Sequence, residues 1–107
     1  MFIIPNLTTM SKAVIGLTTL DLYLPGVSSL KEKRGIIKSM QAKIQNKFNV
    51  STAEVDHHDV WQSSQIAMTT VSNSTPHIQQ MFQTILSWIE THFPDVMIVK
   101  HEIEIIR

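Results

Sequence analysis

Six of the nine basic residues fall in one run, Lys31, Lys33, Arg34, Lys38, Lys43 and Lys47, with Glu32 as the one carboxylate among them. Cations grouped on a helix contact phosphate, and Ser29 just upstream is a residue type that caps a helix N-terminus, where free backbone amides also attract anions. Lys31, Arg34 and Lys38 follow three- and four-residue steps and share one helix face, while Lys43 and Lys47 share another. Positive charge in the first turns opposes the helix dipole by a few tenths of a kcal/mol per residue, which an anion nearby would offset. Ser29, Lys31, Lys33, Arg34 and Lys38 therefore form the candidate anion or RNA site. The plainer reading has these side chains pairing with strand carboxylates such as Glu54 or Asp56, or solvated, and it is favoured because most surface charge clusters are only solvated.

Asp56-His57-His58-Asp59 places four metal-ligand types in succession. Neighbours in a strand point to opposite faces, so one ion would draw on Asp56 with His58, or on His57 with Asp59, plus a third ligand from His77, His92 or His101. No metal site is assigned, and His57 and His58 stay as the candidates for one. Trp61 and Gln62 follow closely. Exposed aromatics on RNA-binding sheets stack bases, but the Lys/Arg-Gly-Phe/Tyr signature of such sheets is missing, so Trp61 is read first as a packing or interface anchor. Glu54, Asp56, Asp59, Trp61 and Gln62 together make a second candidate region, a hairpin site or interface. Ser28-Ser29-Leu30-Lys31 has the Ser-x-x-Lys spacing of penicillin-interacting enzymes without their Ser-Asp-Asn and Lys-Thr-Gly partners, and a helix cap explains it. Gly16, Gly26 and Gly35 build no phosphate or dinucleotide loop, and the carboxylates are too scattered for an acid/base pair. No catalytic residue is nominated, and neither an enzymatic activity nor a cofactor is expected.

These residues must be held by one small domain. A chain of 107 residues buries roughly two-thirds of its unfolded surface. Nine cations against nine carboxylates exclude binding by bulk attraction, but six of those cations lie on one predicted helix while the carboxylates gather from Glu54 onward. With no cysteine there is no disulfide framework, thiolate metal site or cysteine nucleophile, which fits a reducing cytoplasm. Met1-Phe2-Ile3-Ile4-Pro5 lacks a basic leader and a signal-length apolar core, and no stretch approaches the roughly 18 apolar residues of a membrane span. A cytoplasmic protein without a membrane partner is expected. Residues 1–11 read as a loosely ordered extension, with Met10 a candidate start, and residues 12–107 as a single domain.

Ala13 to Leu24 alternates as a half-buried strand and ends at Pro25-Gly26. Ser29 and Glu32 have capping-box spacing ahead of a helix to about Phe48, whose inner stripe is Ile37, Met40, Ile44 and Phe48. Strands are expected over Asn49 to Asp56 and Gln65 to Val71, joined by a hairpin connection or bulged continuation at Asp56 to Asp59. Thr75, as cap, and Pro76 open a second helix with an inner stripe of Ile78, Phe82, Ile85 and Ile89, which stops before Phe93-Pro94. Val96 to Ile106 makes the last strand. The order βαββαβ with right-handed crossovers predicts an α+β, ferredoxin-like sandwich: a four-stranded antiparallel sheet with both helices on one face. The open face would carry Ile15, Leu17 and Tyr23, more apolar surface than a solvated face shows, so a homodimer through that face is expected.

Leu24-Pro25-Gly26 with Ser29-Leu30-Lys31-Glu32-Lys33-Arg34, then Phe48-Asn49-Val50-Ser51 with Ala53-Glu54, then Asp56 and Asp59 with Trp61-Gln62, closely resemble the bacterial YlxP-like family, whose function is unknown. The likeness runs from about Ala13 to the C-terminus and departs at Gly35, where relatives have a larger residue, and at Ser63, where many have arginine. It implies a ferredoxin-like fold and a cytoplasmic bacterial protein with no assigned activity. The genes that commonly neighbour those of the family imply an RNA or ribosome context. Relatives keep the aspartates and vary the histidines, which fits an Asp-stabilised turn better than a metal site. The expectation is a non-enzymatic accessory module near RNA or the ribosome; the alternative is a small-ligand or metal-binding regulatory domain.

Overall fold

The computed structural model describes residues 12–107; the expected extension over 1–11, Met10 included, lies outside the described residues. Six elements follow in the expected order: β1 (Val14–Tyr23), α1 (Leu30–Lys47), β2 (Ser51–Asp56), β3 (Ser63–Ser72), α2 (Thr75–His92) and β4 (Met97–Ile106). The strands form one antiparallel sheet in the order β2-β3-β1-β4. This is the ferredoxin-like arrangement. β1, and β3 as far as Val71, alternate between buried and more exposed residues because both helices cover one face and leave the other open.

α1 packs over β2, while α2 packs over β1, β3 and β4. The core between the layers is built from Leu20, Leu22 and Leu24 of β1 and its exit, Ile37, Met40 and Ile44 of α1, Ile66 and Met68 of β3, and Ile78, Phe82, Ile85 and Ile89 of α2. Gly16 sets how closely α2 lies on the sheet: a Cβ there would overlap Ile78 Cγ2 and come within 3.1 Å of Phe82 Cε2. The buried hydroxyls of this layer are satisfied, Thr18 donating to the Glu102 carbonyl at 2.8 Å and Thr70 to that of Asn49 at 2.7 Å.

Boundaries differ from expectation where local hydrogen bonds decide. The cap of α2 is Ser74, not Thr75: the Ser74 side chain accepts from the His77 amide, which leaves Thr75 as the first helical residue and Pro76 in the first turn, where no amide is required. β3 begins at Ser63 because its pairing with β1 runs on to Tyr23. Of the two alternatives for the β2–β3 junction, the connection holds, spanning 57–62; the bulge lies earlier than expected, at Val55 within β2, where the register slips by one residue.

Candidate functional site

The β2–β3 connection is built around Lys33. Its side chain is fully buried, and its ammonium donates to Glu54 Oε2 at 3.0 Å and to the carbonyls of His57 at 2.7 Å, Ser63 at 3.2 Å and His58 at 3.4 Å. One charge on α1 thus gathers the end of β2, the start of the connection and the first residue of β3. Ser64 Oγ donates to the same carboxylate oxygen of Glu54, whose side chain is only 16 % exposed. Burial raises the Glu54 pKa, but the hydrogen bonds from Ser64 and Lys33, with the charges of Lys33 and His58, outweigh it and hold the carboxyl below its ordinary value. Burying an ion pair is costly, and the cost is tolerated where further hydrogen bonds satisfy every donor and acceptor. Among the described residues, no buried side-chain polar atom lacks a partner.

The rest of the connection is tied just as closely. His57 adopts φ 63°, the left-handed region, and its carbonyl accepts from both Lys33 and the Val60 amide. Asp56 Oδ1 accepts from the His57 amide at 2.7 Å, and His58 Nε2 donates to the Glu54 carbonyl at 3.0 Å. Gln62 closes the far end: its side-chain amide donates to the carbonyls of Pro25 and Val27, and its own carbonyl accepts from the Leu24 amide. Glu54, Asp56 and Gln62 of the second candidate region therefore build the loop, whereas Asp59 and Trp61 are displayed by it. Trp61 is 52 % exposed. Asp59, Val60, Trp61 and Gln62 line an open depression of about 360 Å³.

The candidate anion site divides in the same way. Lys33 stands inside, with no surface left for a phosphate. The helix cap is closed: Ser29 Oγ accepts from the Glu32 amide at 3.1 Å, and the Glu32 carboxylate accepts from the amide and hydroxyl of Ser28. Lys31, Arg34 and Lys38 remain outward on one face. Arg34 meets Asp59 at 3.5 Å with side chains 59 % and 89 % exposed, and neither Lys31 nor Lys38 has a carboxylate in ion-pair range. Lys43 and Lys47 lie instead over the rings of Phe93 and Phe48, 5.5 and 5.9 Å from the centroids. Among the described residues no three of His, Asp and Glu converge on one point. No helix among them is long and apolar enough to cross a membrane.

What sequence reasoning missed is Lys33 as a core residue, and the signal was present. Lys33, Ile37, Met40 and Ile44 continue one stripe at four-, three- and four-residue steps, and those four are the buried residues of α1.

Comparison with known proteins agrees with this architecture. The chain is 34% identical over 83 residues to the uncharacterized protein YlxP of Bacillus subtilis (strain 168), covering 78% of this chain and 89% of that one. The fold is similar to that of the de novo designed protein Foldit4, with a TM-score of 0.51 at 12% identity over 89% of this chain and 97% of that one. It is also similar to a C-terminal segment of the alpha subunit of aIF2 from Pyrococcus abyssi, with a TM-score of 0.50 at 9% identity over 89% of this chain and 50% of that one. A family model described as protein of unknown function (DUF503) matches residues 15–103, and the chain belongs to that family.

Proposed function

We propose that this protein is a non-enzymatic cytoplasmic accessory module that binds RNA through its phosphate backbone, in an RNA or ribosome context, as a pair of copies joined through the open sheet face. The observation that carries the reading is the outward face of α1, where Lys31, Arg34 and Lys38 stand at helical spacing with one loosely held carboxylate, Asp59, between them. Such a face contacts successive phosphates without base readout, and in a chain of zero net charge the attraction is local. Lys33 supports the site without touching the ligand, because it fixes the loop that carries Asp59 beside Arg34.

Phosphate contact makes affinity depend on salt. Three contacts to a single strand give a slope of log affinity against log salt of roughly −2. The test is titration of labelled RNA over a range of ionic strength, with the triple variant Lys31→Glu, Arg34→Glu, Lys38→Glu beside the wild type. The expected result is the stated slope for the wild type and loss of binding in the variant. Equal binding by the two proteins would sink the proposal.

A further inference from the structure

The geometry points to a specific way in which two copies of this chain interlock through the open face, an inference that rests on the dimer reading above. The face is arranged in rows across the strands. Ile15, paired with Val71 on one side and Ile106 on the other, forms an apolar ridge, the three side chains 40 %, 63 % and 43 % exposed. Next comes the row of Leu17 with Thr69, Ser51 and Glu104, and then that of Thr19 with Ala67, Ala53 and Glu102. Small residues here leave a depression of about 190 Å³ lined by Leu17, Ser51, Ala53, Ala67 and Thr69 together with Thr52 and Met68. One row further on, Asp21, Gln65, Asp56 and Lys100 stand together and Gln65 donates to Asp21 at 2.7 Å, while Glu104 and Glu102 carry charge into the two nearer rows on β4, an edge strand of the sheet.

A ridge and a hollow two rows apart are complementary under a two-fold axis. If the axis lies between two facing sheets and runs across the strands at the Leu17 row, each row on one side meets the row equally far on the other. Val71 of one copy then sits in the hollow over Ala67 of the second copy, and the reverse contact follows by symmetry. Ile15 meets Thr19 of the second copy. The charged row around Asp21 falls at one rim; Glu104, which meets its own copy at the axis, and Glu102, which meets Ile106 of the second copy, stand on the edge strand β4, where their carboxylates turn outward to water. An axis placed nearer to the Asp21 row would bury Asp21, Asp56 and Lys100. Strand and residue spacings of about 4.8 and 3.4 Å give the overlapped part of the sheet an area of roughly 500 Å² per copy. The total of roughly 1,000 Å² is where specific interfaces begin, so the pair is a weak, concentration-dependent one.

The experiment is sedimentation equilibrium on the full chain from sub-micromolar to high micromolar concentration, with circular dichroism to confirm folding of each variant. The wild type is expected to shift from one-chain to two-chain mass. Val71→Lys is expected to hold the chain at one-chain mass throughout. Val71→Ala empties the contact and Ala67→Val overfills it, so each single change weakens association several-fold, whereas the double change exchanges knob and hollow and restores it. A one-chain mass for the wild type at every concentration, or a dimer indifferent to Val71→Lys, would overturn both the open-face reading and the interlock. A dimer weakened by Val71→Lys but not restored by the exchange would overturn the interlock alone.

Discussion

Lys33 and Arg34 are adjacent cations in the same turn of α1, and the fold gives them opposite roles. Lys33 points inward, is fully buried and spends its donors on Glu54 and three backbone carbonyls. Arg34 points outward and meets Asp59 at 3.5 Å with both side chains largely in water. The same charge is thus structural in one residue and available for recognition in the next. What separates them is not charge but helical phase: a step of one residue turns the side chain about 100° around the helix axis.

The largest effect should come from Lys33. Lys33→Met keeps most of the aliphatic stem and removes the ammonium, leaving the Glu54 carboxylate and three carbonyls short of a donor. The expected loss is about 3–5 kcal/mol in urea unfolding, the range for breaking a buried pair from one side. A loss under about 1 kcal/mol would put Lys33 with ordinary surface pairs and erase the contrast with Arg34.

Acid should act on the same pair. Because the folded-state pKa of Glu54 lies below its unfolded value, its contribution is complete above the ordinary carboxylate range and is lost as pH falls through the folded value. Glu54→Gln removes that dependence. Stability curves of wild type and variant are expected to lie furthest apart near neutrality and to converge on acidification. Parallel curves through the acid range would show that the carboxylate is not held by Lys33 and Ser64.

Much of the fold was legible because it rests on periodicity. The alternation in β1 and the inner stripes of α1 and α2 fix which faces meet, and the two crossovers fix the order of strands. The site was less legible because it depends on contacts between residues far apart in sequence. Pairing of the helix cations with Glu54 is among the expectations and holds for Lys33, 21 residues away, but the sequence does not say which cation makes it, nor that Gln62 reaches back 37 residues to Pro25. A lysine is also read as exposed by type, which hid the continuation of the Ile37 stripe through Lys33. Gly35 is legible from its place alone: inside a helix it costs stability, and, its chain neighbours and the adjacent helix backbone apart, no atom stands within 4 Å of where its Cβ would be. Gly35→Ala is therefore expected to stabilise the fold by about 1 kcal/mol, from the lower helix propensity of glycine. No gain in thermal or urea unfolding would mean that the outward face beside Arg34 is more constrained than its exposure indicates.

Arg34→Ala should produce the smallest change in stability and, if the outward face binds RNA, a clear change in affinity. Its ion pair with Asp59 is long and exposed, so unfolding should move by no more than about 0.5 kcal/mol. Loss of one phosphate contact lowers the salt slope of RNA binding by roughly 0.7 for a single strand. Asp59→Ala separates the two roles: it frees Arg34 and removes a carboxylate from the cationic face, so RNA should bind more tightly than to the wild type while unfolding is again nearly unchanged. The opposite signs expected for Arg34→Ala and Asp59→Ala are what phosphate contact requires and what a merely structural pair would not give. If both variants bind RNA as the wild type does, the outward cations are solvated charges, and the contrast within this turn of α1 is one of folding alone.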